Sequence, residues 1–388
     1  MNRDMEENAG LKNWGYSRAD VEERRRSLES LTGADLQHIS AYSFDPVLAQ
    51  KNIENMIGVT QVPLGYCGPL PLDGEHARGD IYVPLATTEG ALLASVNRGC
   101  AVIRKSGSVK ARIFHDAMTR SPVMRVRDIS HAQEVMGWVS THMDSISAEV
   151  AETTSHGRLL DVLCLPNGRN LFLRFSYHTA DAMGMNMATI ATEAACRLIE
   201  EETGALMVSV SGNVCSDKKP AAINQILGRG KTVLADLIVP AEVVEQDLHC
   251  SVETLVETAE RKNLVGSQMA GLLGGNAHAA NMIAALYIAT GQDPAQVVEG
   301  SLTSTLCENV EGQLYISVRL PAVEVGTVGG GTRLPCQSEA LRMMDCLGAG
   351  KAPKLAEIVA ATVLAGELST LGAQAAGHLG KAHGELGR

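Results

Sequence analysis

The chain has 388 residues, with 33 lysines and arginines against 44 aspartates and glutamates, and its formal net charge is −11. This length can bury a sizeable core and predicts two or three domains. The acidic balance argues against a general nucleic-acid or membrane-surface binder, because either function needs a basic face to meet phosphates. The nine cysteines include no C-x-x-C pair, so we expect no zinc site, no disulfide framework and a reducing, cytoplasmic location.

The first residues, MNRDMEENAG, lack the apolar core of a signal peptide, and the charged stretch that follows predicts a small helical segment up to about residue 50. Alternating apolar residues over 81–85 predict a strand. A helix is expected directly after it, with Thr87 and Thr88 as caps and Glu89 in its first turn. The most apolar long window, 269–291, is interrupted by polar residues and glycines, so it predicts a buried helix and not a membrane span.

A compact module is predicted between these regions and the C-terminal half. The pattern indicates strands over 122–126, 158–165 and 206–210, helices over 131–152 and 181–203, and one further strand after a tight turn at Asn167-Gly168. The order β-α-β-β-α-β is that of a ferredoxin-like domain. Helix-rich sequence flanks it, and beyond residue 220 only 314–318 and 322–325 look like strands. The fold class is therefore α+β, a helix-rich large domain with an inserted ferredoxin-like domain.

Several polar or glycine-rich clusters stand out, although each has an ordinary structural interpretation. The polar ones are Glu54-Asn55, Thr87-Thr88-Glu89-Gly90, Ser216-Asp217-Lys218-Lys219-Pro220, Gly291-Gln292-Asp293, and His378 with His383. Taken singly, these are typical of helix starts, solvated turns, N-caps and surface histidines. The loop 326–331 is not a G-x-G-x-x-G motif but would let backbone approach a pyrophosphate. Gly184 near the start of a predicted helix suggests a ligand against free N–H groups.

Eight longer blocks change these interpretations together. They are ENMIGVTQVPLGYCGPL (54–70), ATTEGALLASVNRGC (86–100), DAMGMNM (181–187), SGNVCSDKKPAAINQILGRGK (211–231), KNLVGSQMAG (262–271), GNAHAANMIAALYIATGQD (275–293), GTVGGGT (326–332) and AGELSTLGAQAAGHLGKAH (365–383). In this order they resemble the blocks of 3-hydroxy-3-methylglutaryl-CoA (HMG-CoA) reductase of the class I type. No block matches a membrane anchor, so the chain resembles the soluble prokaryotic members.

The resemblance implies an oxidoreductase of the mevalonate pathway of isoprenoid biosynthesis, which reduces HMG-CoA to mevalonate and CoA with two hydrides from NADPH. It implies that Lys218 stabilises the negative charge developing on the substrate oxygen. Glu89 matches the proton donor, and Asp293 matches the acid that couples the charges of Lys218 and Glu89. His383 matches the imidazole that protonates the departing CoA thiolate.

Binding residues follow from the same blocks. The hydroxymethylglutaryl pocket is expected to hold Arg120, Ser211, Asp217, Lys219, Lys262, His278 and Asn281. CoA is expected at Glu54, Asn55, Ser95, Asn97, Arg98 and His378. The nicotinamide cofactor is expected at Asp181, Met183, Gly184, Met185, Asn186, Val328, Gly329, Gly331 and Arg388. His156 occupies the place where animal enzymes carry the arginine that meets the 2′-phosphate of NADPH, which leaves NADH as an alternative cofactor.

The resemblance also implies the domain organisation and the assembly. Residues 1–53 form the N-terminal helical segment, 54–120 with 221–388 the substrate domain, 121–208 the NADP-binding domain, and 209–220 the loop with the catalytic lysine. The family assembles as homodimers or homotetramers with active sites at the dimer interface. Neither nucleic acid nor membrane is an expected partner.

Two other functions remain as alternatives. One is a CoA-thioester hydrolase with a Cys–His pair, for which Cys215 near Asp217 is the candidate nucleophile. The other is a non-catalytic CoA-binding module, which the presence of Glu89, Lys218, Asp293 and His383 disfavours.

Overall fold

The computed structural model describes residues 15–377, which fold into mixed helices and sheet. The strands are β1 (Leu64–Gly74), β2 (Arg78–Ala86), β3 (Val109–Arg120), β4 (Val123–Arg125), β5 (Arg158–Asn167), β6 (Asn170–His178), β7 (Leu206–Ser209), β8 (Gly230–Val239), β9 (Ser304–Val310) and β10 (Gln313–Val323). The helices are α1 (Arg18–Thr32), α2 (Leu92–Ser106), α3 (Ile129–Thr141), α4 (Met143–Thr153), α5 (Met185–Thr203), α6 (Ala222–Leu227), α7 (Ala241–Val243), α8 (Val252–Ala259), α9 (Ser267–Ala270), α10 (Ala279–Thr290), α11 (Val297–Gly300), α12 (Pro335–Met343) and α13 (Ala352–Ala375).

The larger core surrounds helix α13. Six strands form its sheet in the order β2-β1-β3-β8-β10-β9, antiparallel except for the β1–β3 pair. Helix α13 is apolar on every side, so it can lie only inside a core. Gly99 of α2 lets the two helices approach, because a Cβ there would lie 2.0 Å from the carbonyl oxygen of Ala365. Among the described residues α13 alone has the length and composition of a membrane span, and 94% of that stretch is buried.

The smaller core lies under a second group of strands, in the order β7-β4-β6-β5, all antiparallel. Along the chain its elements follow as β4, α3 with α4, β5, β6, α5 and β7. Buried side chains of β6, including Phe175 and Tyr177, pack against α5 and α3. The end of β3 pairs with β6, Met118 opposite Tyr177, so one strand belongs to both sheets.

The prediction that residues 220–388 are helical apart from two short stretches is wrong. Strands β8 and β9 lie there, and a single strand, β10, contains the stretch 314–318 and ends at Val323, inside the stretch 322–325. Strands β1 and β3 were also not predicted from the sequence. The apolar run of β8, GKTVLADLIV, is mostly buried, and such a run cannot be told from a buried helix by periodicity. The predicted buried helix over 269–291 is shorter than expected: α10 begins only at Ala279, and Met269, in the short helix α9, is 84% exposed.

Three helix predictions are also corrected. Helix α2 begins at Leu92, so Glu89 lies before the helix and not in its first turn; Thr87 Oγ1 accepts the N–H of Glu89 instead of capping α2. The predicted helix over 131–152 is interrupted at His142, whose ring Nδ1 lies 2.9 Å from the carbonyl oxygen of Trp138. Helix α5 begins at Met185 and not at 181, because Gly184 takes a left-handed φ of 93°.

The hairpin between β5 and β6 is displaced by one residue from its predicted position. Asn167 pairs with Asn170, so the two turn residues are Gly168 and Arg169 instead of Asn167 and Gly168. Gly168 supplies the positive φ, 60°, that the turn requires.

Candidate active site

An ion pair joins two of the four predicted catalytic residues. The Nζ of Lys218 lies 2.9 Å from Oδ2 of Asp293. Asp293 is fixed by its second oxygen, which accepts the N–H of Ala295 at 3.0 Å and caps a 3₁₀ turn over Pro294–Gln296. The hydrogen bond that Lys218 donates to Asp293 raises the pKa of Lys218, so this half-exposed amine stays charged.

The loop that carries Lys218 is held in an uncommon conformation. Lys218 and Ser216 both have a φ of 58°, a left-handed geometry that costs about 1–3 kcal/mol for a residue other than glycine. The buried hydroxyl of Ser216 donates to Oδ1 of Asn224 at 2.6 Å. The backbone N–H of Lys218 donates to Oε1 of Glu299. Buried contacts therefore hold the lysine in a fixed position at the surface.

Asp217 brings the neighbouring predicted substrate residues together. Its carboxylate accepts from Arg229 Nη2 at 3.0 Å and lies 3.9 Å from Arg120 Nη1. The amine of Lys219 donates to the carbonyl oxygen of Asp217 at 2.8 Å. Ser211 lies close by, since its Oγ is 3.4 Å from Sγ of the buried Cys215.

Two predicted cofactor segments lie against each other beside this loop. The N–H of Thr327 donates to the carbonyl oxygen of Asp181 at 2.8 Å. A Cβ on Gly326 would lie 2.7 Å from the backbone nitrogen of Met183, so only glycine allows this contact. Gly331 packs on Gly291, close to Asp293, with the same backbone-to-backbone contact.

The remaining cofactor candidates border the same region. Met185 Sδ lies 2.8 Å from Nη2 of Arg229, which connects helix α5 to the Lys218 loop. Gly329 has a φ of 74° and open space beside its Cα, so a bound group can approach its backbone. Val328 and Asn186 are exposed. His156 is exposed on the segment before β5, where Gly157 contacts the side chain of Met187.

Asp181 has a structural role in addition to its predicted one. Its carboxylate accepts the N–H groups of Gly350 at 2.7 Å and of Ala352 at 3.0 Å, at the start of helix α13. Burial alone would raise the pKa of Asp181, but these backbone donors and that of Lys351 outweigh it, so the pKa lies below its usual value. Asp181 therefore couples the cofactor segment to the central core helix.

Replacing Asp181 with asparagine is expected to lower the free energy of unfolding by about 1 kcal/mol at pH 7, because the amide has one accepting oxygen for the two N–H groups that the carboxylate oxygens now accept. Since folding lowers this pKa, the carboxylate stabilises the fold fully above its unfolded-state pKa of about 3.9 and loses this effect as the pH falls through the folded-state pKa. Urea unfolding at pH 7 and pH 3 measures the difference. An equal deficit at both values would contradict the capping role.

A second group of predicted residues lines a cavity of about 290 Å³. Glu89 Oε1 accepts from Nδ2 of Asn281 at 3.2 Å, and this amide also lies 3.3 Å from Nδ1 of His278. Nε2 of the ring lies 3.1 Å from the carbonyl oxygen of Gly366, which can only accept, so Nε2 carries a hydrogen. The amine of Lys262 lies 3.4 Å from the carbonyl oxygen of Asn276, two residues before His278.

The predicted CoA residues lie in three different places. Ser95 and Arg98 line the cavity wall and bind the C-terminal part of α13: Ser95 Oγ is 3.0 Å from Ser369 Oγ, and Arg98 donates to the carbonyl oxygen of Ser369 at 2.7 Å. Burial lowers the pKa of Arg98. Asn97 instead supports strand β1, since its Oδ1 accepts the N–H of Gly68. Glu54 and Asn55 are exposed on the connection between α1 and β1.

Several residues of this site were not predicted from the sequence. Thr370 Oγ1 lies 2.7 Å from Nε2 of His278, and the buried carboxylate of Glu367 accepts the N–H groups of Ala277 and His278, both at 2.7 Å. All lie within the quoted blocks, but their roles depend on contacts between α13 and α10. A buried glutamate in an otherwise apolar helix was the available signal.

The two groups lie at opposite ends of helix α10. Glu89 binds Asn281 in the first turn of α10, whereas Asp293 follows its last residue, and twelve helical residues span about 18 Å. Within one chain the structure therefore brings Lys218 to Asp293 but does not bring Glu89 to either. His378, His383 and Arg388 lie outside the described residues.

Comparison with known proteins identifies the family. A family model described as hydroxymethylglutaryl-coenzyme A reductase matches residues 20–388. The chain is 52% identical over 373 residues to the 3-hydroxy-3-methylglutaryl-coenzyme A reductase of Haloferax volcanii, covering 95% of this chain and 93% of that one. It is 44% identical over 379 residues to the Zea mays reductase, covering 94% of this chain and 65% of the plant protein. The chain belongs to the HMG-CoA reductase family.

Solved structures show the same fold at low sequence identity. A class II HMG-CoA reductase of Streptococcus pneumoniae, solved with NADPH in open conformations, has a TM-score of 0.70 and 18% identity, covering 91% of this chain and 86% of that one. A second structure of the reductase from this organism has a TM-score of 0.70 and 17% identity, covering 95% of this chain and 99% of that one.

Proposed function

We propose that this protein is an NADPH-dependent HMG-CoA reductase, which reduces HMG-CoA to mevalonate and CoA in isoprenoid precursor synthesis. The observation that carries the proposal is the Lys218–Asp293 ion pair beside the two glycine-containing segments that match the family's cofactor site. The family membership and the identities of 50–52% to several archaeal reductases support the same activity.

The charges of the site fit the reaction. The cofactor, when bound, supplies two hydrides, and each reduction places negative charge on the substrate oxygen. The ammonium of Lys218, kept charged by Asp293, stabilises this charge. Glu89 donates a proton to the oxygen and His383 a proton to the leaving thiolate, so two hydrides and two protons convert the thioester to a primary alcohol and free CoA.

We infer that the complete site forms between two chains. Glu89 and the Lys218–Asp293 pair lie at opposite ends of α10, so one chain supplies only half of the catalytic groups at each position. Near Lys262, at the Glu89 end, an apolar surface is exposed: Leu264, Val265, Met269, Leu272 and Leu273 are 50%, 56%, 84%, 61% and 37% exposed. A patch of this kind is unusual on a monomer and suits a second copy of the chain. A homodimer, alone or within a homotetramer, would place one subunit's Lys218 beside the other's Glu89.

The domain roles are part of the proposal. Residues 121–208 are assigned as an inserted ferredoxin-like NADP-binding domain, an assignment supported by the strand order β7-β4-β6-β5 and by the separate core beneath it. Residues 54–120 and 221–388 are assigned to substrate binding, and 209–220 to the catalytic loop. High identity to archaeal and plant reductases, against 18% to a class II enzyme, supports the class I type. Free cysteines throughout the described chain favour a reducing, cytoplasmic location.

The decisive assay follows nicotinamide oxidation and free thiol together. Purified protein with HMG-CoA and NADPH should oxidise two NADPH for each thiol released, and a parallel reaction with NADH tests the substitution at His156. Thiol release without oxidation would indicate a hydrolase, and no reaction would indicate a binding module.

The structure disfavours a cysteine hydrolase, because Cys215 is fully buried. Cys215→Ser is therefore expected to retain reductase activity within about threefold.

A further inference from the structure

A buried charge cluster lies behind the Lys218 loop. Arg229, Glu299 and Glu324 are fully buried, and Arg229 Nη1 lies 3.0 Å from Oε1 of Glu299 while it also donates to Oε1 of Glu324. The other terminal nitrogen, Nη2, lies 3.0 Å from Oδ1 of Asp217. One guanidinium therefore contacts three carboxylates. Removing these charges from water costs free energy that their mutual attraction need not repay, so the cluster is poor evidence for a purely stabilising role.

The cluster connects the catalytic loop to two other parts of the site. Glu299 accepts the backbone N–H of Lys218. Gln296 bridges Arg229 and Asp217, accepting from the first at 3.1 Å and donating to the second at 3.2 Å. Both Gln296 and Glu299 follow Asp293 within six residues, so the same short segment holds both members of the Lys218–Asp293 pair.

The guanidinium also reaches the cofactor side. Arg229 Nη2 lies 2.8 Å from Sδ of Met185, the first residue of helix α5 and a predicted cofactor contact. A change in the position of Arg229 would therefore move the lysine loop, the Asp217 carboxylate and the start of α5 together.

We propose that Glu299 and Arg229 are positioning residues for the reduction: Glu299 fixes the left-handed backbone of Lys218, and Arg229 fixes the Asp217 carboxylate and the first turn of α5. This inference rests on the proposed function, which assigns the ammonium of Lys218 to the substrate oxygen. Neither residue touches substrate in this assignment, so both act through the loop.

The two glutamates are not equivalent. Oε1 of Glu299 accepts from both Arg229 and the Lys218 N–H, whereas Oε1 of Glu324 accepts from Arg229. Burial raises the pKa of Glu299, opposed by Arg229 and that N–H, and raises the pKa of the fully buried Glu324 well above its usual value. Three other charged or titratable groups face this cluster from neighbouring strands and from helix α10: Arg120, Arg174 and Tyr287. The geometric difference is that Glu299 contacts both Arg229 and the backbone of Lys218, whereas the hydrogen bond of Glu324 is to Arg229.

This difference provides a matched pair of variants. Glu299→Gln removes the charge that holds the loop, and we expect kcat for NADPH oxidation to fall about tenfold to a hundredfold while KM for HMG-CoA and NADPH changes by less than about threefold. Glu324→Gln changes a contact to Arg229 without touching the Lys218 backbone, and its amide oxygen can accept the same hydrogen bond, so kcat should fall clearly less than in Glu299→Gln. Circular dichroism and size-exclusion chromatography establish that each variant is folded and assembled.

Folded Glu299→Gln with wild-type kcat, or an equal loss of kcat in both variants, would overturn the inference. If Glu299→Gln does not fold, Gln296→Met provides the test. This variant removes the bridge between Arg229 and Asp217 without changing the charge. We expect it to lower kcat by more than about threefold with little change in KM. Unchanged kcat in that variant would also overturn the inference. A wild-type enzyme without reductase activity would instead refute the proposed function.

Discussion

Lys218→Ala is expected to lower the rate of HMG-CoA reduction by about 10²–10³-fold or more, since the variant loses the fixed cation that meets the developing oxyanion. The ion pair with Asp293 holds this amine at one place, so solvent or a mobile cation cannot reproduce its geometry. Free CoA should still bind with a dissociation constant within about threefold of the wild type, because Arg98 and Ser95 lie at the other end of α10. Stopped-flow NADPH oxidation and calorimetry of CoA binding measure the two effects.

Lys110→Ala is the matched control, because Lys110 is an exposed lysine on β3 outside both groups of site residues, and its kcat should equal that of the wild type. Lys218→Arg tests geometry at constant charge, and it should remain impaired since the longer, planar guanidinium cannot occupy the same position. Turnover of Lys218→Ala within about tenfold of the wild type would remove Lys218 from this role.

Glu89→Gln is expected to reduce turnover by about 10²–10⁴-fold, since the amide keeps the shape of the side chain but cannot donate the proton that the substrate oxygen requires. Asn281 donates to Glu89 Oε1 at 3.2 Å, and the oxygen of the glutamine amide can accept the same bond, so the cavity should be preserved. Steady-state kinetics should therefore show a loss in kcat with KM for HMG-CoA little changed.

Glu149→Gln provides the control, because Glu149 is exposed on α4 and is not a predicted site residue. The structure of the Glu89→Gln variant should superimpose on the wild type around His278 and Asn281. Near-normal turnover in a correctly folded variant would mean that another group supplies the proton.

The sequence indicates single residues of the candidate site more readily than the contacts between them. Lys218 and Asp293 were assigned from short blocks and meet in the structure at 2.9 Å. The charge cluster around Arg229 was not foreseen, because Arg229 and Glu299 are separated by 70 positions, and only the tertiary fold brings the residue before β8 to the segment after α10. Local pattern carries no information on such contacts.

The same distinction applies to the secondary structure. The module over 121–208 follows alternating and helical periodicities closely, so its element order was predictable and the errors were limited to helix ends, the break at His142 and a one-residue turn displacement. Strands β1, β3, β8 and β9 of the larger sheet were not predicted; in β8 the partly exposed positions include the apolar Leu234 and Ile238, so the sequence lacks the polar–apolar alternation that identifies a strand. Glycines with left-handed φ, such as Gly184, set helix starts that propensity alone places too early.

The central claim is that each active site takes Glu89 from one chain and the Lys218–Asp293 pair from another, and subunit complementation tests it most directly. Glu89→Gln and Lys218→Ala, each nearly inactive alone, are mixed one to one, dissociated and reassembled. Half of the resulting dimers should be mixed, each with one of two sites intact, so activity should rise to about a quarter of the wild-type value. A mixture that reassembles into mixed dimers yet stays as inactive as its components would contradict the claim.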